Sequence, residues 1–272
     1  MKKTILLLAM LLFFVSTFTY AQKKETRNVS TFTRISYRVP GKLYLRQGSP
    51  QKVELEGDAD VLSEIETDVD GGKLVIGVKG KWWNGNWGGE KRITVYITVE
   101  NIDGLSVSGS GDLIAETKIN ANDLDLNVSG SGSLRAEVNA KGDVGADVSG
   151  SGRIEAKVRC RNLSSSISGS GKVEIDTEVA SKTRIGISGS GRFIARGSTN
   201  EIRTSISGSG KILAADLVAE ICEVRISGSG DIEINVQKEL DATISGSGSV
   251  TYKGNPNKVN SHSSGIGKVR KI

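Results

Sequence analysis

SGSG stands at residues 108–111 and again at 129–132, 149–152, 168–171, 188–191, 207–210, 227–230 and 245–248, before a degenerate ninth copy, SGIG, at 264–267. Successive copies are 18 to 21 residues apart. A period of this size is the signature of a solenoid, whose repeats bury their apolar sides only by stacking on one another. The columns around the motif agree. The residue before it is Val107, Val128, Val148, Ile167, Ile187, Ile206, Ile226 and Ile244, with Ser263 in the last copy. Two positions after it come Leu113, Leu134, Ile154, Val173, Phe193, Ile212, Ile232, Val250 and Val269. Alternation within each copy says strand, and identity between copies says that equivalent positions stack in one interior.

Counting by twos across the motif puts both glycines on the inward side and both serines on the outward side. The expectation is a corner or pinched strand, where glycine bends the backbone and takes up no volume, edged by two hydroxyl columns at the sheet spacing of about 4.8 Å. A phosphate-cradling loop needs a following helix and a Lys-Ser/Thr pair, and no copy has them. Nine copies imply about eight coil intervals and a stack about 40 Å long. Sequential parallel strands favour a right-handed path, and Lys268, Arg270 and Lys271 are placed to blunt the final edge.

Residues 22–100 lack the 20-residue period and predict an antiparallel β cap. Leu43, Leu45, the QGSPQ turn, Val53 and Leu55 suggest one hairpin; Ile65, Thr67, Val69, the DGG turn, Leu74, Ile76 and Val78 suggest a second. Asp60 to Glu66 has room for one or two helical turns, and Ile93, Val95, Ile97 and Val99 alternate as a strand leading into the repeats. Ahead of this, Lys2 and Lys3 precede ILLLAMLLFFV, and Thr19-Tyr20-Ala21 offers small residues at a cleavage site, which reads as a signal peptide over residues 1–21. The expected organisation is a signal peptide at 1–21, a cap at 22–100 and a parallel β-helix at 101–272. Export to the periplasm, the outer membrane or the exterior follows, and no later stretch is long and apolar enough to span a membrane.

Without the two signal lysines the net charge falls from +5 to about +3, too weak a field to argue for nucleic acid. Two cysteines, Cys160 and Cys222, do not make a disulfide scaffold; three coil steps apart, they are not expected to pair. Arg159 and Arg161 flank Cys160 and would lower its pKa, yet the reading preferred is a partly exposed structural thiol.

The runs VSTFTRISYRVPGKLYLRQG at 29–48 and ITVYITVENIDGLSVSGSGDL at 93–113, with the reiterated SGSG, resemble the head GIN domain family of autotransporter adhesins common in Bacteroidetes-type bacteria. The resemblance covers nearly all of the chain beyond residue 21. It implies a pectin-lyase-like right-handed β-helix of about 20 residues per coil, an envelope or surface setting and an adhesive role, and it brings no catalytic set. No amphipathic segment long enough for a translocator barrel follows the last repeat, so self-transport is not expected.

Catalysis finds little support in the residues. His262, the only histidine, lies in the decayed last copy. Glu155 and Glu174 share an outward position in neighbouring coils, but Arg153 and Lys172 stand two residues before them, as a surface charge lattice requires. No metal-ligand spacing and no calcium-roll nonapeptide occurs, and no cofactor is expected.

Two features rise above scaffold. The residue after the tetrapeptide is basic in four consecutive coils, Arg153, Lys172, Arg192 and Lys211, and stacked like charges call for counter-charges or an anionic partner such as an acidic glycan or lipid headgroup. The segment KWWNGNWGGEKR at 81–92 holds Trp82, Trp83 and Trp87, the three tryptophans of the chain; it suits either a loop capping the stack or a docking loop. The sequence therefore predicts a non-enzymatic, exported envelope module that binds a glycan or a cell-surface protein. A carbohydrate-active enzyme on the same fold and a purely structural spacer are the alternatives. Acidic and basic residues gathered in one long groove would favour the enzyme; a uniform Ser/Gly face would count against it.

Overall fold

A computed structural model describes residues 23–79 and 93–272. The expected signal peptide and the three tryptophans lie outside the described residues. The protein is almost entirely β, 76% strand and 3% helix, and forms a β-solenoid of about eight turns with parallel coils about 20 residues apart.

The N-terminal elements are β1 Lys23–Thr26, β2 Arg34–Tyr37, β3 Gly41–Gln47, β4 Lys52–Gly57, α1 Ala59–Glu64, β5 Ile65–Asp70, β6 Lys73–Val78 and β7 Ile93–Val99. The repeats follow as β8 Gly104–Gly109, β9 Asp112–Ala115, β10 Ile119–Ala121, β11 Leu124–Gly130, β12 Ser133–Ala140 and β13 Asp143–Gly150. Five nearly continuous coil strands come next: β14 Arg153–Gly169, β15 Lys172–Gly189, β16 Arg192–Gly208, β17 Lys211–Gly228 and β18 Asp231–Gly246. β19 Ser249–Lys253, β20 Lys258–Gly265 and β21 Lys268–Lys271 close the series. Each coil has an outbound arm after one SGSG corner, a far corner, and a return arm leading to the next SGSG.

The SGSG corner works differently from the alternation rule. Only the second glycine of each motif turns inward; the first is at the surface and carries a φ between +104° and +133°. That left-handed backbone breaks the period of two, which is why parity alone misplaces the residue. At Gly189 a Cβ would lie 2.7 Å from the carbonyl oxygen of Gly169 in the coil below. The second glycine has a packing reason. A Cβ on Gly191 would meet Cγ2 of Ile167 at 2.4 Å, so the β-branched column before the motif and the inner glycine column interlock from coil to coil. The backbone ladder continues through the corner: Ser190 N donates to Gly169 O at 2.9 Å and Arg192 N to Gly171 O at 2.9 Å. The serines of the eight intact motifs lie at the surface, as expected, with only Ser108 partly covered.

Inside, the stacked Val, Ile and Leu columns form one continuous core that includes Phe193. Buried hydroxyls of the coils are satisfied, as where Ser165 Oγ donates to Ala146 O at 2.6 Å and Thr177 Oγ1 to Val158 O at 3.0 Å, whereas the Tyr37 hydroxyl in the N-terminal part of the core has no partner among the described residues. Cys160 and Cys222 are free and buried, in different columns of the interior. Burial pushes each thiol up to about 12, and at Cys160 the nearby Asp143 adds to the effect. The expected partial exposure and the acidifying influence of Arg159 and Arg161 are thus both corrected: the alternation that turns Cys160 inward turns the two arginines out.

The N-terminal region is antiparallel where β1 meets β4, β4 meets β7 and β5 meets β6. The second expected hairpin forms as β5 and β6 around Gly71 and Gly72. The first does not, because β7 lies between β3 and β4, parallel to one and antiparallel to the other. Ile93, Val95, Ile97 and Val99 are all buried, forming the inward face of a strand paired along both of its edges. β2 and β3 run parallel to β8 and β9, so solenoid register reaches into residues 34–47. α1 follows β4 and buries Val61 and Leu62, and Arg27 Nη2 donates to Leu62 O at 2.8 Å.

Candidate binding surface

Because outbound arms stack without offset near the SGSG corner, the basic residues after the motif form a true column: Arg153 pairs in register with Lys172, Lys172 with Arg192, and Arg192 with Lys211. Counter-charges supply most of what the column needs. Arg153 Nη1 lies 3.4 Å from Glu155, Lys172 Nζ 2.6 Å from Glu174, and Lys211 Nζ 2.9 Å from Asp231 in the next coil. Arg192 has no ion pair or side-chain hydrogen bond among the described residues. It faces Ile194 and Leu213, which replace the glutamates of the two preceding coils.

Beside this column the outbound arms carry a trough that no single sequence position reveals. Two adjoining shallow depressions, each of about 420 Å³, share Glu137, Lys157 and Asp176 in their lining. Ala136 and Ala156 form part of one floor, and Arg135, Glu155 and Glu174 stand along its side. The walls are ion pairs: Lys118 with Glu137 at 2.7 Å, Arg135 with Glu155 at 2.7 Å, Arg159 with Glu178 at 2.7 Å, and Arg196 with Asp176 at 3.6 Å. The signal for this surface was present in the outward positions two, four and six residues beyond the basic column, where opposite charges recur from coil to coil.

The electrostatics favour recognition over proton transfer. The hydrogen bond from Arg135 holds the Glu155 carboxyl below the usual carboxylate range, and Lys118 does the same for Glu137. A general acid at neutral pH needs the opposite shift. His262 lies on β20, every residue of which is exposed. Among the described residues no group of three or more His, Cys, Asp and Glu could hold a metal ion, and no helix is long and apolar enough to cross a membrane.

Tyr44 and Tyr96 stack at 5.6 Å on the same side of the molecule, nearer the N-terminal end. Lys24 Nζ covers the Tyr96 ring at 4.8 Å, and Tyr44 pairs with Ile114 on its other side. These rings are therefore occupied by cross-strand neighbours.

The sequence matches the family described as "Putative auto-transporter adhesin, head GIN domain" over residues 31–196 and again over 179–256. No curated protein sequence matches the chain. Among solved structures, a protein titled a putative lipid binding protein from Parabacteroides distasonis is similar with a TM-score of 0.71 and 23% identity, covering 92% of this chain and 96% of that one. A putative adhesin from Parabacteroides merdae gives 0.67 and 22%, with the same coverage, and another from Parabacteroides distasonis gives 0.68 and 20%, covering 93% and 98%. At these identities the likenesses carry the fold alone. The family match spans most of the sequence, and the chain belongs to the head GIN domain family.

Proposed function

We propose that the protein is an exported, non-enzymatic binding module of the cell envelope or surface, acting as an adhesin. The observation that carries this reading is a rigid stack of coils whose side-chain lattice is exposed along the outbound arms as a shallow open trough. Such a surface offers many weak polar contacts in a fixed array, which suits a long polymeric or surface-borne partner. Export rests on the basic start and apolar run at residues 2–15, and the head GIN family description agrees with a surface role. The ligand contacts are assigned to Arg153, Lys172, Arg192 and Lys211 and, from sequence alone, to Trp82, Trp83 and Trp87; the glycan or cell-surface protein that they take is part of the same proposal.

A second reading is a carbohydrate-active enzyme. It is favoured by the trough itself, which gathers Arg135, Glu137, Glu155, Lys157, Glu174 and Asp176 in one groove. Against it stand the ion pairing of the carboxylates and the lowered pKa of Glu137 and Glu155. One experiment separates the two: binding to a glycan array and to intact cells, run beside turnover assays on acidic and neutral polysaccharides. The adhesin reading expects saturable binding without chain cleavage. Cleavage abolished by Glu155→Gln would overturn it in favour of the enzyme. Replacing the three tryptophans by Ala then apportions the binding: loss of binding at unchanged melting temperature supports the docking loop, and a lowered melting temperature with binding preserved assigns those residues to stability.

A further inference from the structure

The return arms carry a second depression, of about 340 Å³, on the opposite side of the SGSG corner from the basic column. Its floor is small and polar: Ser166, Gly186 and Ser205 stand in register across three consecutive coils. Its rim is guanidinium: Arg184 and Arg203 are register partners, and Arg225 lies one coil further on.

Two observations set this depression apart. The first is Gly186. The glycines of the corners are required by a positive φ or by a close contact, but Gly186 has neither, and a Cβ built on it meets nothing within 4 Å. A glycine inside a strand costs stability, and where no packing demands it, it commonly marks a place where a ligand approaches the backbone. The second is the division of labour among the arginines. Arg203 Nε is held by Glu201 at 2.6 Å and by Glu223 at 3.2 Å, and Arg225 Nη2 by Glu223 at 2.5 Å. Arg184 has no ion pair or side-chain hydrogen bond among the described residues, although it lines the depression.

We propose that the Gly186 depression binds a carboxylate-bearing sugar of an acidic polysaccharide, with Arg184 as the carboxylate ligand and the hydroxyls of Ser166 and Ser205 as partners for the sugar hydroxyls. The planar fork of an arginine accepts a carboxylate through two parallel hydrogen bonds. Ser166 and Ser205 are two coil steps apart, about 10 Å, with the open floor between them leaving room for a flat ring. Arg203 and Arg225 are engaged by Glu201 and Glu223, Lys182 is engaged by Glu201, and Asp147 accepts a hydrogen bond from Ser166 N at 2.7 Å. Arg184 is thus the cation left for one carboxylate per sugar, and the neighbouring carboxylates oppose a densely charged polyanion such as a nucleic acid. This inference rests on the surface-binding reading and names its ligand class, while moving the contact from the outbound arms to the return arms.

The test measures binding of polygalacturonate, alginate and hyaluronate by calorimetry, with methyl-esterified polygalacturonate as the chain lacking the charge. Wild type and Lys238→Ala, a control outside both depressions, are expected to bind at least one acidic polymer alike and the ester at least tenfold more weakly. Arg184→Ala and Gly186→Leu are each expected to lose at least tenfold at unchanged melting temperature, Arg184→Lys somewhat less. Equal binding by the ester, wild-type affinity in Arg184→Ala, or wild-type affinity in Gly186→Leu overturns the site. If wild type binds none of the acidic polymers yet still binds cells or other glycans, this inference fails and the adhesin reading stands; if it binds no glycan and no cell surface, both fail.

Discussion

At the SGSG corner, Gly169 pairs with Gly189 and Lys172 with Arg192 at one constant offset, whereas at the far corner the offset changes. Cys160 is partnered by a residue 19 positions later, Val179, but Asn162 by one 20 positions later, Lys182. The next coil shifts back between Val179 and Lys182, and the largest step, between Ala214 and Val218, again lies away from the motif. The variation in motif spacing is therefore absorbed outside the SGSG corner. There, backbone conformation and the interlocking of glycine with a β-branched methyl leave no slack; at the far corner, exposed residues such as Ala180 and Ser181 loop out without disturbing the core. The SGSG corner fixes register, and the outbound arm and far corner correct it, the arm at Ile194/Arg196 and from Ala214 to Val218.

The comparison breaks most readily at Gly189. Gly189→Val places a branched side chain at φ +117° and against Gly169 O, and strain of this kind costs on the order of 3 kcal/mol or more. Gly186→Ala, three residues earlier in the same strand, is expected to change stability by less than about 0.5 kcal/mol. Denaturant unfolding of the two variants checks the pair; equal effects would show that the corner has no special requirement.

Acid weakens both corners together through the lattice that covers the arms. Glu155 is held low chiefly by its hydrogen bond from Arg135, Glu54 by that from Lys52, and Asp231 by those from Ser249 and Lys211. A depressed carboxyl pKa in the folded state means that the stabilisation is complete above the ordinary values of 4.5 for Glu and 3.8 for Asp and is lost as pH falls through the folded values. The melting temperature is expected to be level from pH 7 to 5 and to fall between pH 4.5 and 2. These groups are largely exposed, so the loss is modest, and a rise in stability over that range would contradict the assignment.

The smallest effect is chemical. With each thiol pushed up to about 12, Cys160 and Cys222 carry almost no thiolate at pH 8. A thiol-specific reagent should leave both unmodified in the folded protein and label both in denaturant. Rapid labelling of Cys160 in the native state would place the Cys160–Asn162 register shift in an open, mobile segment.

How much of this was legible beforehand follows from the same physics. The solenoid, its period and its inward columns were visible because Val107 through Ile244 and Leu113 through Val269 repeat without a break. The role of the first glycine was hidden, since a positive φ leaves no trace in a pattern counted by twos. The β3–β4 hairpin was misread because local spacing suggested it and β7, forty residues away, displaced it. The basic column was legible, but its neutralisation was only half so: Glu155 and Glu174 lie two residues away in sequence, whereas Asp231 reaches Lys211 from the next coil. Arg184 and Gly186 gave no signal, because an unpaired arginine and an unneeded glycine are recognised only by what the structure leaves empty around them.

Two single insertions in one coil test whether SGSG fixes register while the chain beyond it, the far corner included, absorbs length. One glycine is added between Ser190 and Gly191 in one variant and between Ala180 and Ser181 in the other, and the thermal unfolding of each is compared with wild type. The far-corner insertion is predicted to cost about 1 kcal/mol, a few degrees in melting temperature, with the cooperative transition retained. The motif insertion is predicted to lower the melting temperature by at least 10 °C or to split the transition, because it breaks the ladder and the interlock with Ile167 together. Equal losses from the two insertions, or a larger loss at the far corner, would contradict the claim.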